Sequence, residues 1–298
     1  MSRVRGGEAI RRAARRIGKF KGRDFLLWNL ASLLNRSWPQ SFSYTDGRGL
    51  KFLLDLNDPA YRALYLFGQY EWDLLWTLDN LLTEGETFVE AGTSIGLYTA
   101  IAARRVGRNG KVLGFEPLNS ARETAELHVG LNALSNVSIA PYALGTAPGT
   151  AQIFAFSGLP TGHASLANLA PDGAAQKCEV ATLDSLLSEG DRSRVRLIKL
   201  DVEGSEFAAL KGADATIDAS HPRVIVECNA ETAAAFGYSF AEVERWFYDR
   251  AYVGFIWRTA RWVELASNEA DTAPHNVLFV WHGDGDALLR VRGQRTEP

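Results

Sequence analysis

From residue 84 to residue 230, apolar residues come in short unbroken runs separated by segments whose apolar positions recur every three or four residues. Such runs read as strands buried on both faces, and the segments between them as helices. Thr87-Phe88-Val89, 111–115, Val137-Ser138-Ile139, 195–200 and 223–227 are predicted strands, and 97–105, 120–131 and 207–217 are predicted helices. This β-α-β-α-β alternation predicts an α/β fold with a parallel sheet covered on both faces, and right-handed crossovers make it doubly wound. Residues 151–156 and 177–181 add strands around a loop containing Gly, Ala and Pro. The carboxyl end adds a helix at 241–250, an alternating run at 252–257 and a strand at 276–280, and the tail after Gly283 is polar and reads as frayed.

The first 83 residues have a different texture. Apolar positions at helical spacing run from 8 to 36 with a break near Gly22. Alternating runs on either side of Asp46-Gly47-Arg48-Gly49 predict a β-hairpin over 41–55. Residues 60–82 carry Tyr61, Leu64, Tyr65, Phe67, Tyr70, Trp72, Leu75, Trp76 and Leu78, a strongly apolar helical face. The expected organisation is a basic helix, hairpin and aromatic helical cap over 1–83, a sheet domain over 84–283, and a polar tail over 284–298.

Charge narrows the partners. A formal net charge of -3 over 298 residues argues against a body built to neutralise nucleic-acid phosphates. The charge is uneven, since the first 23 residues hold nine Lys and Arg against Glu8 alone. That leader lacks the apolar core of a signal peptide, and no apolar run approaches the roughly eighteen residues of a membrane span. The expectation is a cytoplasmic protein whose basic N-terminus could meet a membrane surface peripherally or support self-association. Cys178 and Cys228 stand far apart without a Cys-x-x-Cys pair and read as buried thiols.

The candidate chemistry lies at strand ends. In Glu90-Ala91-Gly92-Thr93-Ser94-Ile95-Gly96 an acidic residue closes a strand, and two glycines flank the turn into a helix. Glycines admit a close ligand, and the helix amino terminus is locally positive. Gly-x-x-x-Gly is neither the Gly-x-Gly-x-x-Gly of a dinucleotide fold nor a P-loop. The carboxylate of Glu90 suits an ammonium and would repel a pyrophosphate, which favours a cationic cofactor over a phosphorylated one. Glu116, before Pro117, ends the next strand, where a carboxylate can accept both hydrogen bonds of a ribose diol. Tyr142 and Ala143 follow the third strand, where such a sheet would meet an adenine. A further strand delivers Asp201, Glu203 and Glu206 to the same edge, although Glu203 and Glu206 also suit the amino terminus of the next helix.

With these motifs in order, the sequence resembles the FkbM family of class I methyltransferases over roughly residues 84–230. That family's D-V-G-A-N-x-G-x-Y-T corresponds to Glu90-Ala91-Gly92-Thr93-Ser94-Ile95-Gly96-Leu97-Tyr98-Thr99, and its F-E-P to Phe115-Glu116-Pro117. The segment I-K-x-D-V-E-G-x-E appears from Ile198 to Glu206, with further similarities at Asn132, Asn136-Val137, Ala143-Leu144-Gly145, Thr182 to Leu186, Leu210 to Ala213 and Pro222 to Glu227. The resemblance implies a Rossmann-like, seven-stranded, mostly parallel sheet, S-adenosyl-L-methionine as donor, and O-methylation of sugars or natural products. Glu90 in place of aspartate and Ser94 in place of asparagine depart from the pattern and bear on cofactor affinity.

Methyl transfer from a sulfonium is an in-line displacement that needs the acceptor aligned and its hydroxyl proton removed. His163, in a Gly-containing loop between strands, and Asp201 are the candidate bases. Asp201, Glu227 and Asn229 also form a candidate oxygen set for a divalent cation such as magnesium, by analogy with catechol-type methyltransferases. The aromatic segments 61–76 and 252–262 and the loop around His163 are the expected contacts of a small-molecule or carbohydrate acceptor. The alternatives are an N- or carboxyl-methyltransferase, a nicotinamide oxidoreductase, and a noncatalytic binding module of the same fold.

Overall fold

A computed structural model of the chain describes residues 5–16, 26–27, 29–30, 33, 38–68, 71–155, 164–168, 174–265 and 274–293. The described residues divide into two compact units, one up to residue 72 and one from residue 73 onward.

In the smaller unit, helix α1 (Arg5–Arg16) is followed by strands β1 (Phe42–Thr45) and β2 (Lys51–Leu54), paired antiparallel with Tyr44 opposite Phe52. This is the predicted hairpin. Its turn closes because the Asp46 carboxylate accepts the amides of Arg48 and Leu50. Helix α2 (Pro59–Phe67) starts at Asp58, whose side chain caps the amides of Ala60 and Tyr61, and stops at Gly68 in the left-handed conformation. Tyr65 is fully buried, with Trp38, Phe42 and Tyr44 packed edge-on to its ring. Arg11 of α1 lies over Tyr44 and Tyr65, so one charge of the basic leader is spent inside this unit. Residues 17–25, with Lys19, Lys21 and Arg23, lie outside the described residues.

The larger unit opens with α3 (Trp72–Leu81), from its second residue, and then alternates strand and helix: β3 (Thr87–Ala91), α4 (Leu97–Val106), β4 (Lys111–Phe115), α5 (Asn119–Leu131) and β5 (Val137–Ala140). After them come β6 (Tyr142–Leu144), β7 (Gly149–Ala155), β8 (Ala164–Ser165), β9 (Ala175–Ala181), α6 (Leu183–Leu186) and α7 (Glu189–Arg192). The chain continues through β10 (Val195–Leu200), α8 (Glu206–Lys211), α9 (Asp214–Ser220), β11 (Arg223–Cys228), α10 (Ala230–Ala235) and α11 (Phe240–Tyr248). It ends with β12 (Tyr252–Arg258), β13 (Arg261–Glu264), β14 (His275–Trp281) and α12 (Gly285–Arg292).

The main sheet has the order β13-β12-β14-β11-β10-β3-β4-β5. The five strands from β5 to β11 run parallel, and β14 enters antiparallel. The fold class is the expected doubly wound α/β sheet, with eight strands instead of seven. The extra strand, β13, folds back on β12 through Thr259 and Ala260, both at positive φ, and this two-residue turn carries neither the Asn nor the Gly that signals such hairpins. Strands β6 to β9 form a second, four-stranded sheet.

Strand register sorts the side chains. Val89, Ala91, Ile198, Leu200, Val224, Val226, Val277 and Phe279 share a core with Phe207 and Leu210 of α8, Ile217 of α9, and Val243 and Phe247 of α11. Glu90, Lys199, Glu227 and Asn276 alternate with these residues and therefore line the opposite face, which α3 and α4 approach. Two predictions differ at the ends of elements. The helix expected over 207–217 is split at Gly212, where a Cβ would lie 2.0 Å from the Gly145 carbonyl oxygen, and Asp184 caps the restart by accepting from Ala215 and Thr216. The expected frayed tail contains α12, capped by Asp284 and anchored by buried Ala287, Leu288 and Val291.

Candidate active site

The sheet reverses its winding at β3, which pairs with β4 on one side and β10 on the other. Ligands of such sheets bind at the carboxyl ends of the strands around this point. Gly92 has φ +79, and a Cβ there would sit 1.8 Å from the Asp201 carbonyl oxygen. Only glycine lets the turn after β3 pass so close to the end of β10. Ser94 also adopts positive φ, at 50°, a conformation asparagine tolerates better, so its replacement of the family's asparagine has a local cost. Gly96, at φ +78, begins α4 and would press a Cβ against Ala125 of α5 at 3.1 Å. Fully buried His128 of α5, to which sequence reasoning assigned no role, braces the turn through Nδ1 at 2.8 Å from the Ile95 carbonyl oxygen.

Glu116 follows β4 and is buried. One carboxylate oxygen accepts the Ser94 amide at 2.8 Å and the other the Leu118 amide at 2.9 Å. Each oxygen keeps a second acceptor position, so the residue matches the donor set of a vicinal diol. Burial pushes its pKa up to about 7, opposed by those two amides and by Arg122. The Pro117 carbonyl accepts from Gln176 of β9, whose side-chain oxygen takes the Asn119 amide, so the second sheet fixes this corner.

Glu90 is 1% exposed. Its longer side chain accepts a hydrogen bond from the Thr99 hydroxyl on α4, and its other oxygen lies 3.9 Å from the Lys199 ammonium. Burial raises its pKa to about 7 against the pull of Lys199 and Thr99, with Asp201 and Glu116 adding to the rise. Lys199 binds the Asp201 carboxylate at 2.8 Å and lies 5.6 Å from the Tyr98 ring centroid. Lys199 belongs to the I-K-x-D-V-E-G-x-E segment, which by itself assigns it no work. The signal was a lysine between Ile198 and Leu200 in a buried strand, two residues before a carboxylate and so on the same face.

Glu206 is a brace. Its buried carboxylate accepts the Val202 and Gly204 amides at 3.0 Å each and the Tyr238 hydroxyl at 2.9 Å, which shapes the loop bearing Glu203 at φ 54. The Glu203 carbonyl in turn accepts from Ser165 of β8 at 2.7 Å. His163, two residues earlier, lies outside the described residues.

Tyr142 and Ala143 lie on β6 in the second sheet. Ala143 is buried with Leu118, Ala121, Ile153, Ala164 and Cys178, so its side chain packs a small core. Both cysteines are buried. The proposed cation ligands are otherwise engaged: Asp201 pairs with Lys199, and the Asn229 side-chain oxygen caps α10 by accepting from Glu231 and Thr232. Among the described residues no group of three or more His, Cys, Asp or Glu side chains is arranged to hold a metal ion. One Glu227 oxygen is buried without a hydrogen-bond partner among the described residues, and burial with Asp201, Glu203 and Glu206 nearby pushes this carboxyl up to about 10.

Beyond Glu227 the same face becomes aromatic. Asn276, paired with Glu227, donates to Asp73 of α3 at 2.9 Å. Trp257 of β12 lies 6.2 Å from Trp76 of α3 and 5.3 Å from Trp262, centroid to centroid. No helix among the described residues is long and apolar enough to cross a membrane.

The methyltransferase FkbM domain family matches residues 90–254, more than half of the chain. The chain belongs to the FkbM methyltransferase family. No curated protein sequence matches it. Among solved structures, methyltransferase FkbM from Methylobacillus flagellatus KT is similar at 16% identity over 93% of this chain, with a TM-score of 0.47. This chain spans 59% of that protein's length. A putative rRNA methylase from Clostridium thermocellum is similar at 16% identity over 70% of this chain and 93% of its own, with a TM-score of 0.41. A putative methyltransferase from Streptococcus mutans, solved in complex with SAH, is similar at 10% identity over 71% and 98%, with a TM-score of 0.42.

Proposed function

We propose that the chain is an S-adenosyl-L-methionine-dependent O-methyltransferase acting on a hydroxyl of a small molecule or carbohydrate. The observation that carries the donor reading is Glu116, a buried strand-end carboxylate tied by the Ser94 and Leu118 amides to the glycine turn and the approach to α5. Its remaining acceptor positions suit a ribose diol, and the second buried carboxylate, Glu90, suits the positive end of the donor. Bound there, S-adenosylmethionine would supply an electrophilic methyl group on a sulfonium. The chain's own work is to hold the acceptor oxygen in line and take its proton.

Asp201 is the base this reading favours, because it stands at the end of β10 beside the switch point with 27% of its side chain exposed. Trp76 and Trp257, with the Asp73 and Asn276 pair, would wall the acceptor, and an aromatic face flanked by an amide and a carboxylate suits a sugar ring. The net charge of -3 supports a small acceptor over a nucleic acid.

The test is calorimetry with S-adenosylmethionine and NADH separately. It is followed by labelled-methyl transfer to a panel of monosaccharides, glycosides and hydroxylated natural products, with the methylated atom located by NMR. Binding of NADH alone would overturn the donor assignment. Methyl found on nitrogen or carboxylate would replace the O-methyl reading, and donor binding without any transfer would favour a noncatalytic module.

A further inference from the structure

We propose that Lys199 is a positioning residue of the donor site: its buried ammonium ties Glu90 to Asp201 across the switch point and keeps Glu90 ready to meet a cationic donor. This rests on the donor reading above. Lys199 is 3% exposed, 2.8 Å from Asp201 and 3.9 Å from Glu90. Strand geometry imposes the arrangement. Glu90 and Lys199 are cross-strand partners in the parallel β3 and β10 pair, and Asp201 follows Lys199 by two residues on the same face.

A buried ion pair is a poor source of stability, since an apolar residue of similar size usually serves at least as well. A lysine between Ile198 and Leu200 therefore calls for a different reason. With Lys199 between them, Glu90 and Asp201 present one net negative charge, the complement of a donor that carries one net positive charge as S-adenosylmethionine does and S-adenosylhomocysteine does not. The groups facing Glu90 are Thr99 from α4, Lys199 and Asp201 from β10 and its end, and Glu116 from the end of β4. Lys199 also faces Tyr98 of α4, Asp73 of α3 and Glu227 of β11.

A cationic donor favours ionised Glu90, so donor affinity should rise as pH increases through the titration of this carboxyl. Removing Lys199 takes away the charge that opposes burial, and the rise should move to higher pH. Glu116 answers to the Ser94 and Leu118 amides and Arg122, so its contribution should stay in place.

The experiment is the pH dependence of S-adenosylmethionine affinity, by calorimetry between pH 5.5 and 9, for the wild type, Lys199→Met and Lys199→Arg. The expected result is a midpoint moved up by about one unit or more in Lys199→Met and largely restored in Lys199→Arg. A structural defect alone would lower affinity equally at every pH, and an unmoved midpoint overturns the proposal. If Lys199→Met does not fold, Lys199→Gln takes its place, and nitrogen-15 NMR of the Lys199 ammonium in the wild type gives an independent reading. A step in that signal as Glu90 titrates supports the coupling, and a flat signal overturns it. Failure of the wild type to bind S-adenosylmethionine at any pH would instead sink the donor reading itself.

Discussion

A Cβ on Gly92 would lie 1.8 Å from the carbonyl oxygen of Asp201, so the turn after β3 and the end of β10 touch through a gap only a hydrogen atom fills. The contact joins the glycine turn after β3 to the candidate base. Gly92→Ala must therefore push the two strand ends apart and also hold alanine at φ +79. The expected cost is about 3 kcal/mol or more in chemical denaturation, with loss of donor binding even where the variant still folds. Unchanged donor affinity in that variant would mean the turn is not part of the site.

The buried carboxyls set a pH dependence with a definite sign. Glu90 and Glu116 rise from an ordinary value of 4.5 to about 7, and Glu227 rises to about 10. In this range the folded protein holds protons that the unfolded chain releases, so stability is fullest below about pH 4.5 as far as these groups are concerned. It declines as pH rises to about 7 for the first two and on toward 10 for the third. Each group contributes up to about 1.4 kcal/mol per pH unit within its window. Urea midpoints of the donor-free protein should fall from pH 5 to pH 8, and Glu90→Gln should flatten the slope. A slope of the opposite sign would contradict the burial of these groups.

Glu206 holds the loop after β10 through three hydrogen bonds to its carboxylate. Glu206→Ala strands the Val202 and Gly204 amides and the Tyr238 hydroxyl, at an expected cost of about 2–4 kcal/mol. Glu206→Gln keeps an oxygen for the two amides, and the tyrosine hydroxyl can turn to accept from the new amide group. Its denaturation midpoint should stay close to wild type, with turnover retained. Loss of turnover in a stably folded Glu206→Gln would assign the carboxylate a direct part in the reaction.

Metal removal should leave methyl transfer intact. Asp201 is held by Lys199 at 2.8 Å, and the Asn229 oxygen is committed to the amino terminus of α10, so two members of the expected oxygen set are occupied by the chain itself. Enzyme prepared in excess chelator should turn over at the rate of untreated enzyme. A loss restored by magnesium would require both residues to rearrange.

What the sequence disclosed was set by the range of each interaction. The place of Glu116 at a strand end was legible because a strand, a carboxylate and a proline follow one another within seven residues. The partners of Glu90 were not, because Thr99 lies beyond a turn and Lys199 belongs to a strand over a hundred residues away that becomes a neighbour only through the crossover. The pairing of Lys199 with Asp201 was readable in principle from their two-residue spacing in a strand. Strand β13 escaped because Thr259 and Ala260 make its turn without the residues that usually mark one, and α12 because its polar positions mask the buried spacing of Ala287, Leu288 and Val291. Ala143 carried a family motif, yet its side chain packs a small core, since a motif match does not distinguish contact with a ligand from support beneath it.

Substitution of Trp257 should separate acceptor binding from donor binding. Trp257 shares a sheet face with Glu227 and Asn276, approaches Trp76 at 6.2 Å, and has no part in the carboxylate cluster around Gly92. If the ring of the acceptor stacks there, Trp257→Ala should raise KM for the best acceptor of the panel by about ten-fold, the loss expected for one aromatic contact, while S-adenosylmethionine affinity stays within about two-fold of wild type. Trp257→Phe should recover most of the difference. Equal loss for donor and acceptor would point to a general disturbance of the β12 edge, and no loss for either would move the acceptor away from this wall.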